Sequence, residues 1–165
     1  MIQIENLPIV LTGIGIIVAI VYYTLTLQNA NKTRQAQLYM QVYDKLETRE
    51  NSQRTIEILF DMNFDTVDEF YEKYGRENNP DAYYDWMYMT NILEGIGVMV
   101  RKGLLDIGLV SLICSGLLIR YWEKYEDVWK HWRETTGWVR AAAEVEYLYN
   151  ALMEYSKKHP EIEFG

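Results

Sequence analysis

His131 and His159 are the two imidazoles of this chain, and Cys114 is its one thiol. A carboxylate-bridged dimetal centre in a helical bundle is built from Glu-x-x-His pairs, because residues three apart project to one side of a helix. Val128 and Ser156 stand three residues before the two histidines, so neither belongs to such a pair. Asp127, His131 and Glu134 share a helical face and could offer a metal no more than a surface contact; a solvated polar face is the expectation. Cys114 lies in the apolar run LVSLICSGLLI, where a lone thiol behaves as a small hydrophobe. One cysteine allows neither an intrachain disulfide nor a thiolate cluster.

Glu94 and Arg120 fall in the two most apolar helical segments and could form a buried ion pair between them. Removing one partner of a buried pair leaves the other charge uncompensated, at about 3–5 kcal/mol, so the expected role is structural. Both residues also lie opposite the main apolar arc of their helices, which leaves a solvated position open for each. ILEGIGVMV contains Gly-x-Gly but lacks the third glycine and sits inside a helical pattern, so it is no phosphate loop. Its Gly95 and Gly97 are expected to make room for a neighbouring aromatic ring. No Walker-type GxxxxGK loop and no GxSxG elbow occurs. No catalytic, cofactor-binding or metal-binding residue is therefore expected, and the chain reads as a non-enzyme.

The elements that hold these residues begin with an apolar run. Glu5 is the last charge before Lys32, and Leu7 to Leu27 is free of ionisable charge. As a helix, this run of about 21 residues rises roughly 30 Å, the thickness of a bilayer's hydrocarbon core. It lacks the basic leader and small-residue cleavage site of a signal peptide and the polar stripe of a core helix, so it reads as an uncleaved membrane anchor. Asn6 and Pro8 are suited to the cap and first turn. Lys32, Arg34 and Lys45 follow the run while Glu5 precedes it, which by the positive-inside rule faces the C-terminal part to the cytoplasm. Gly15 and Ala19 form a small-x-x-x-small pair, and Thr12, Thr24 and Thr26 could bond across helices, so self-association of spans is a weak second signal.

Beyond the anchor, Tyr39, Val42, Tyr43 and Leu46 recur at helical spacing, extending the first helix to about Glu50. A second helix is expected near 53–62 with Ile56, Leu59 and Phe60 as its apolar side. Thr66-x-x-Glu69 opens a short third helix, with Gly75 placed to end it in a left-handed turn. Asn79 and Pro80 start a central helix that stops at Gly103, with Met89, Ile92, Leu93, Ile96 and Val100 on one face. Asp106 caps the next, which Gly116 bends and Gly137 separates from a last helix lined by Val145, Leu148, Leu152 and Tyr155. With no convincing strand alternation, the fold class is all-α. Residues 1–6 form a short extracytoplasmic N-terminus, 7–27 a transmembrane helix, 28–158 a cytoplasmic helical bundle and 159–165 a polar tail.

The segments YYTLTLQNANKTRQAQLYMQVYDKLETRE, ILEGIGVMVRKGLLDIGLV and IRYWEKYEDVW resemble an uncharacterised bacterial and archaeal family of N-terminally membrane-anchored helical proteins. In that family a membrane helix leads into a domain of unknown function. The likeness covers most of residues 20–135. It implies an anchored helical module, and it carries no activity, substrate or catalytic residue.

The net charge of −8, borne almost wholly after residue 31, argues against nucleic acid as a ligand, since phosphate-backbone affinity needs clustered cations. The 14 tyrosines and 5 tryptophans exceed what a small core hides. Trp122, Tyr125, Trp129 and Trp132 share a narrow helical arc that serves either as core or as a partner-binding face. The expected partners are the lipid bilayer and a protein partner or a second copy, with no cofactor. The leading functional expectation is a single-pass interaction or assembly module. The alternative is a homo-oligomer that forms a pore or senses a ligand.

Overall fold

The computed structural model describes residues 7–161. Among them the regular structure is entirely helical: α1 (Leu7–Leu46), α2 (Arg49–Ile56), α3 (Val67–Tyr74), α4 (Pro80–Arg101), α5 (Ile107–Thr136) and α6 (Ala143–Lys158), with a π-helical turn, Glu57–Asp61, continuing α2. The expected cap Asn6, the segment 1–6 and the last four residues of the expected tail lie outside the described residues. The chain divides into two compact units, residues 1–37 and 38–165.

In the first unit every side chain from Pro8 to Arg34 is exposed. The hydroxyls of Thr12, Thr24 and Thr26 each donate to the carbonyl four residues earlier at 2.8 Å, so their protons are already spent within the helix. Among the described residues α1 is the one helix long and apolar enough to cross a membrane.

The second unit starts within α1, where Val42 and Leu46 turn into the core. α1 stops at Leu46, short of the expected Glu50, because Thr48 caps α2 by accepting from Asn51 N–H at 3.2 Å. Buried Asn51 donates in turn to the Lys45 carbonyl at 2.5 Å, so one residue serves both helix ends.

The expected apolar side of α2 is corrected by the π-turn. Met62 N–H bonds the Glu57 carbonyl five residues back at 2.9 Å, and the wider winding rotates the following side chains. Ile58 is buried, while Ile56 and Phe60 are more than half exposed. Lys124 Nζ donates to the Ile58 and Leu59 carbonyls at 2.9 Å each, and Tyr125 Oη to Ile58 at 2.7 Å. The carbonyls freed at this helix end thus receive a cation and a phenol from α5. Burial lowers the Lys124 pKa from its ordinary value, against the pull of Asp61.

Thr66 accepts from Glu69 N–H at 3.2 Å while the Glu69 carboxylate accepts from Asp65 N–H at 2.7 Å, closing the N-terminus of α3 as expected. Gly75 does not adopt a left-handed turn: its φ is −62°, and glycine is required there because a Cβ would run into the Tyr71 carbonyl. Asn79 accepts from Ala82 N–H at 3.2 Å with Pro80 following, and α4 ends before Gly103, whose φ is +65°. Met89, Leu93 and Ile96 are buried, with Ile92 and Val100 partly so.

In α5 the bend falls at Cys114, with φ −136°, rather than at Gly116. Cys114 is buried, and burial pushes its thiol up to about 12, consistent with an inert apolar side chain. The core joining these helices is aromatic. Trp86 stacks on Trp129 at 4.5 Å between ring centres, Phe70 meets Trp86 edge-on at 5.0 Å, and Tyr121 lies 5.0 Å from Tyr125. Such pairs add about 0.5–1.5 kcal/mol beyond burial alone.

Candidate functional site

Glu94, Gly97 and Arg101 recur at i, i+3 and i+7 on α4 and so share one face. That face receives the start of α6. The residue preceding α6, Ala142, has φ 53° and ψ 24° and no side-chain cap. A left-handed non-glycine residue costs about 1–2 kcal/mol, and alanine cannot accept an orphan helix N–H. The Glu94 carboxylate does so from outside: both of its oxygens lie 3.3 Å from Glu144 N. Gly97 admits this approach, since a Cβ there would run into the Glu144 carbonyl. Arg101 completes the seat, with Nε 2.5 Å from Glu144 Oε2 and its guanidinium 3.8 Å above the Tyr147 ring.

Beside this seat lies a cavity of about 320 Å³, bounded by α4, α5 and the 137–142 connection. Its lining includes Thr90, Glu94, Trp129, Trp132, Trp138 and Arg140. At its base Thr90 Oγ1 donates to the Trp86 carbonyl at 2.9 Å, so the 2.5 Å contact with Tyr121 Oη has the phenol as donor. Burial holds the Tyr121 phenol well above its ordinary pKa. Trp129 Nε1 is buried without a hydrogen bond.

The charges around the cavity are arranged in pairs with one exception. Arg140 bonds Glu144 at 3.1 Å, and Arg133 bonds Glu146 at 2.6 Å and the Ala141 carbonyl at 2.8 Å. Glu94 has no cation within ion-pair distance among the described residues. Burial is the first cause raising its pKa, and the Glu144 charge adds to it; the Glu144 N–H, Arg133 and Arg140 act in the opposite direction. The site is therefore an aromatic recess with a half-buried carboxylate on its wall. That arrangement suits binding, and it brings no nucleophile next to a base.

A family model for a domain of unknown function, DUF4760, matches residues 9–152. The chain belongs to this family. The matched stretch takes in every cavity residue named above. No curated protein and no solved structure matches the chain.

The DUF4760 fold separates the expected pair Glu94 and Arg120. Glu94 turns to α6, whereas Arg120 is exposed and lies 5.6 Å over the Phe60 ring on the π-turn side. The two do not meet because α5 presents Arg120 away from the face of α4 that seats α6. Gly95 and Gly97 hold no aromatic ring between them: Gly97 faces the Glu144 backbone and Gly95 faces open space. Trp122, Tyr125 and Trp129 are buried, and Trp132 is partly buried. His131 packs against Tyr71 at 5.8 Å, Asp127 lies 3.8 Å from Lys130, and His159 stacks on Tyr155 at 4.2 Å. Among the described residues no three His, Cys, Asp or Glu side chains converge. Gly15, Ala19 and Leu27 are exposed on α1; Leu7 begins that helix. Sequence reasoning missed the capping role of Glu94 and the presence of Trp138 at the cavity. The i, i+3, i+7 spacing of Glu94, Gly97 and Arg101 was the available signal for the first.

Proposed function

We propose that this DUF4760 chain is a single-pass membrane protein that holds its helical unit at the cytoplasmic face as an interaction or assembly module. The observation that carries the reading is the exposure of every side chain from Pro8 to Arg34. Eleven or so large aliphatic groups left in water would be opposed by roughly 1.5–3 kcal/mol each, and a bilayer removes that penalty. The core-helix alternative is disfavoured because none of this apolar window is buried. Lys32, Arg34 and Lys45 after the span support the cytoplasmic orientation. We further propose that the chain is not an enzyme, and that its partner is a protein or a second copy rather than nucleic acid.

Alkaline extraction tests the anchor and protease protection in sealed vesicles tests the orientation. Release at high pH overturns the span; protection of the helical unit in inside-out vesicles overturns the cytoplasmic placement. The native mass in mild detergent, with co-purifying chains identified by mass spectrometry, then decides the role. A heteromeric complex supports the assembly module. A homo-oligomer favours the second reading, a pore-forming or ligand-sensing protein, for which the tryptophan-lined cavity is the supporting observation.

A further inference from the structure

We propose that the cavity between α4, α5 and the 137–142 connection binds a small organic cation of the quaternary-ammonium class, set among the Trp132 and Trp138 rings with Glu94 as its counter-charge. The site lies wholly within the second compact unit, so the inference stands apart from the membrane reading.

Three observations carry it. The cavity, about 320 Å³, is at the lower end of small-molecule sites, roughly 300 Å³ and upward, and three of the five tryptophans line it. Trp129 and Trp132 meet at 53° with centroids 6.0 Å apart, forming an angled aromatic wall, and Trp138 is largely exposed on the facing connection. Tryptophan is the strongest π-partner for a cation, and aromatic cages are the usual means of holding a quaternary ammonium, which offers no N–H to donate.

The second observation concerns charge. Arg101, Arg133 and Arg140 each pair with Glu144 or Glu146, with Arg133 Nη2 left buried and unpartnered, and Glu94 is the carboxylate lining the cavity with no cation within ion-pair distance among the described residues. The third is its spare acceptor capacity. Its two oxygens share a single N–H at 3.3 Å, beyond the length of a strong charge-assisted bond, and a carboxylate has about four lone-pair sites. An anionic ligand is disfavoured, because it would lie against the Glu94 carboxylate, and Arg140, the arginine that lines the cavity, is already paired with Glu144.

The test uses the full-length chain in a non-ionic maltoside, since phosphocholine detergents carry the headgroup in question. Calorimetric titration compares choline with its neutral isostere, 3,3-dimethylbutan-1-ol. The expected result is saturable choline binding, with the isostere weaker by roughly tenfold or more. Glu94→Gln should weaken choline roughly tenfold, and Trp138→Ala by several-fold. Arg140→Gln should tighten it by removing a cation from the rim. Equal affinity for choline and the isostere would reduce the cavity to an apolar recess and overturn the proposal, as would absence of saturation. If Glu94→Gln does not fold, the isostere comparison and the Arg140→Gln variant still decide, because Arg140 is exposed and its loss leaves Arg101 on Glu144.

Discussion

Between Ile9 and Leu27 every large aliphatic side chain of α1 is exposed, whereas Met89, Leu93 and Ile96 of α4 are sealed in the core. The side chains are of the same kind; their distribution differs. α4 sets most of its large apolar residues along one side and places Asp81, Asn91 and Gly95 toward solvent, so packing one face suffices. α1 is apolar all round between Leu7 and Leu27. A single neighbouring helix would cover only one side of such a cylinder, and this is the pattern behind the proposed membrane span.

The comparison is broken most forcefully from the core. Trp129 is almost fully buried against Trp86, and Trp129→Ala should lower stability by about 3–5 kcal/mol in urea denaturation without changing membrane retention. An unchanged midpoint would move Trp129 out of the core. The reciprocal change is Ile17→Arg in α1. A cation at mid-span costs about 2.5–3.5 kcal/mol on insertion scales, so the alkali-resistant fraction should fall while the melt of the helical unit stays as before. If the melt falls instead, α1 is packing against protein.

The two glycines of EGIG sharpen the same contrast on a smaller scale. Gly97→Ala drives a methyl into the Glu144 backbone and should cost about 1–3 kcal/mol. Gly95 has nothing within 4 Å of a Cβ position, so Gly95→Ala should instead stabilise by up to about 1 kcal/mol through helix propensity. Thermal melts of the pair should move in opposite directions; a shared direction would remove Gly97 from the seat of α6.

These effects also mark how far the sequence could be read. Helix boundaries governed by local chemistry were legible: Thr66, Asn79 with Pro80, Asp106, Gly103 and Gly137 act within a few residues of where they stand. Features that depend on a distant element were not. The π-turn at Glu57–Asp61 is supported by Lys124 and Tyr125 from α5, and α6 is capped by Glu94, fifty residues away in sequence. Ala142 offers no capping side chain, so nothing local announces where α6 begins. The cavity was half visible. Trp129 and Trp132 lie on a helical arc that periodicity reveals, whereas Trp138 reaches the site through an irregular connection with no period to follow.

Glu94 gives the smallest and most specific test, because it stands where burial and helix capping oppose each other. Burial and the Glu144 charge raise its carboxyl pKa above the usual range, outweighing the Glu144 N–H and the two arginines. The folded state therefore holds that proton more tightly than the unfolded chain does. Stability changes with pH as the protons bound by the unfolded state minus those bound by the native state. Between the two pKa values that difference is negative, so the Glu94 contribution is fully present below the unfolded value and is lost as pH rises through the folded one. Glu69 and Glu154 act in the opposite sense: backbone N–H groups and Lys73 lower the first, and Lys158 lowers the second, so their contributions fade as pH falls. Comparing wild type with Glu94→Gln cancels them. Glutamine keeps a carbonyl for Glu144 N–H and cannot ionise, so the variant should gain on wild type as pH rises from the carboxylate range toward neutrality. A gain in the reverse direction would mean that the attraction between the carboxylate and the N-terminus of α6 exceeds the penalty of burying it, and Glu94 would then favour its charged form in the fold.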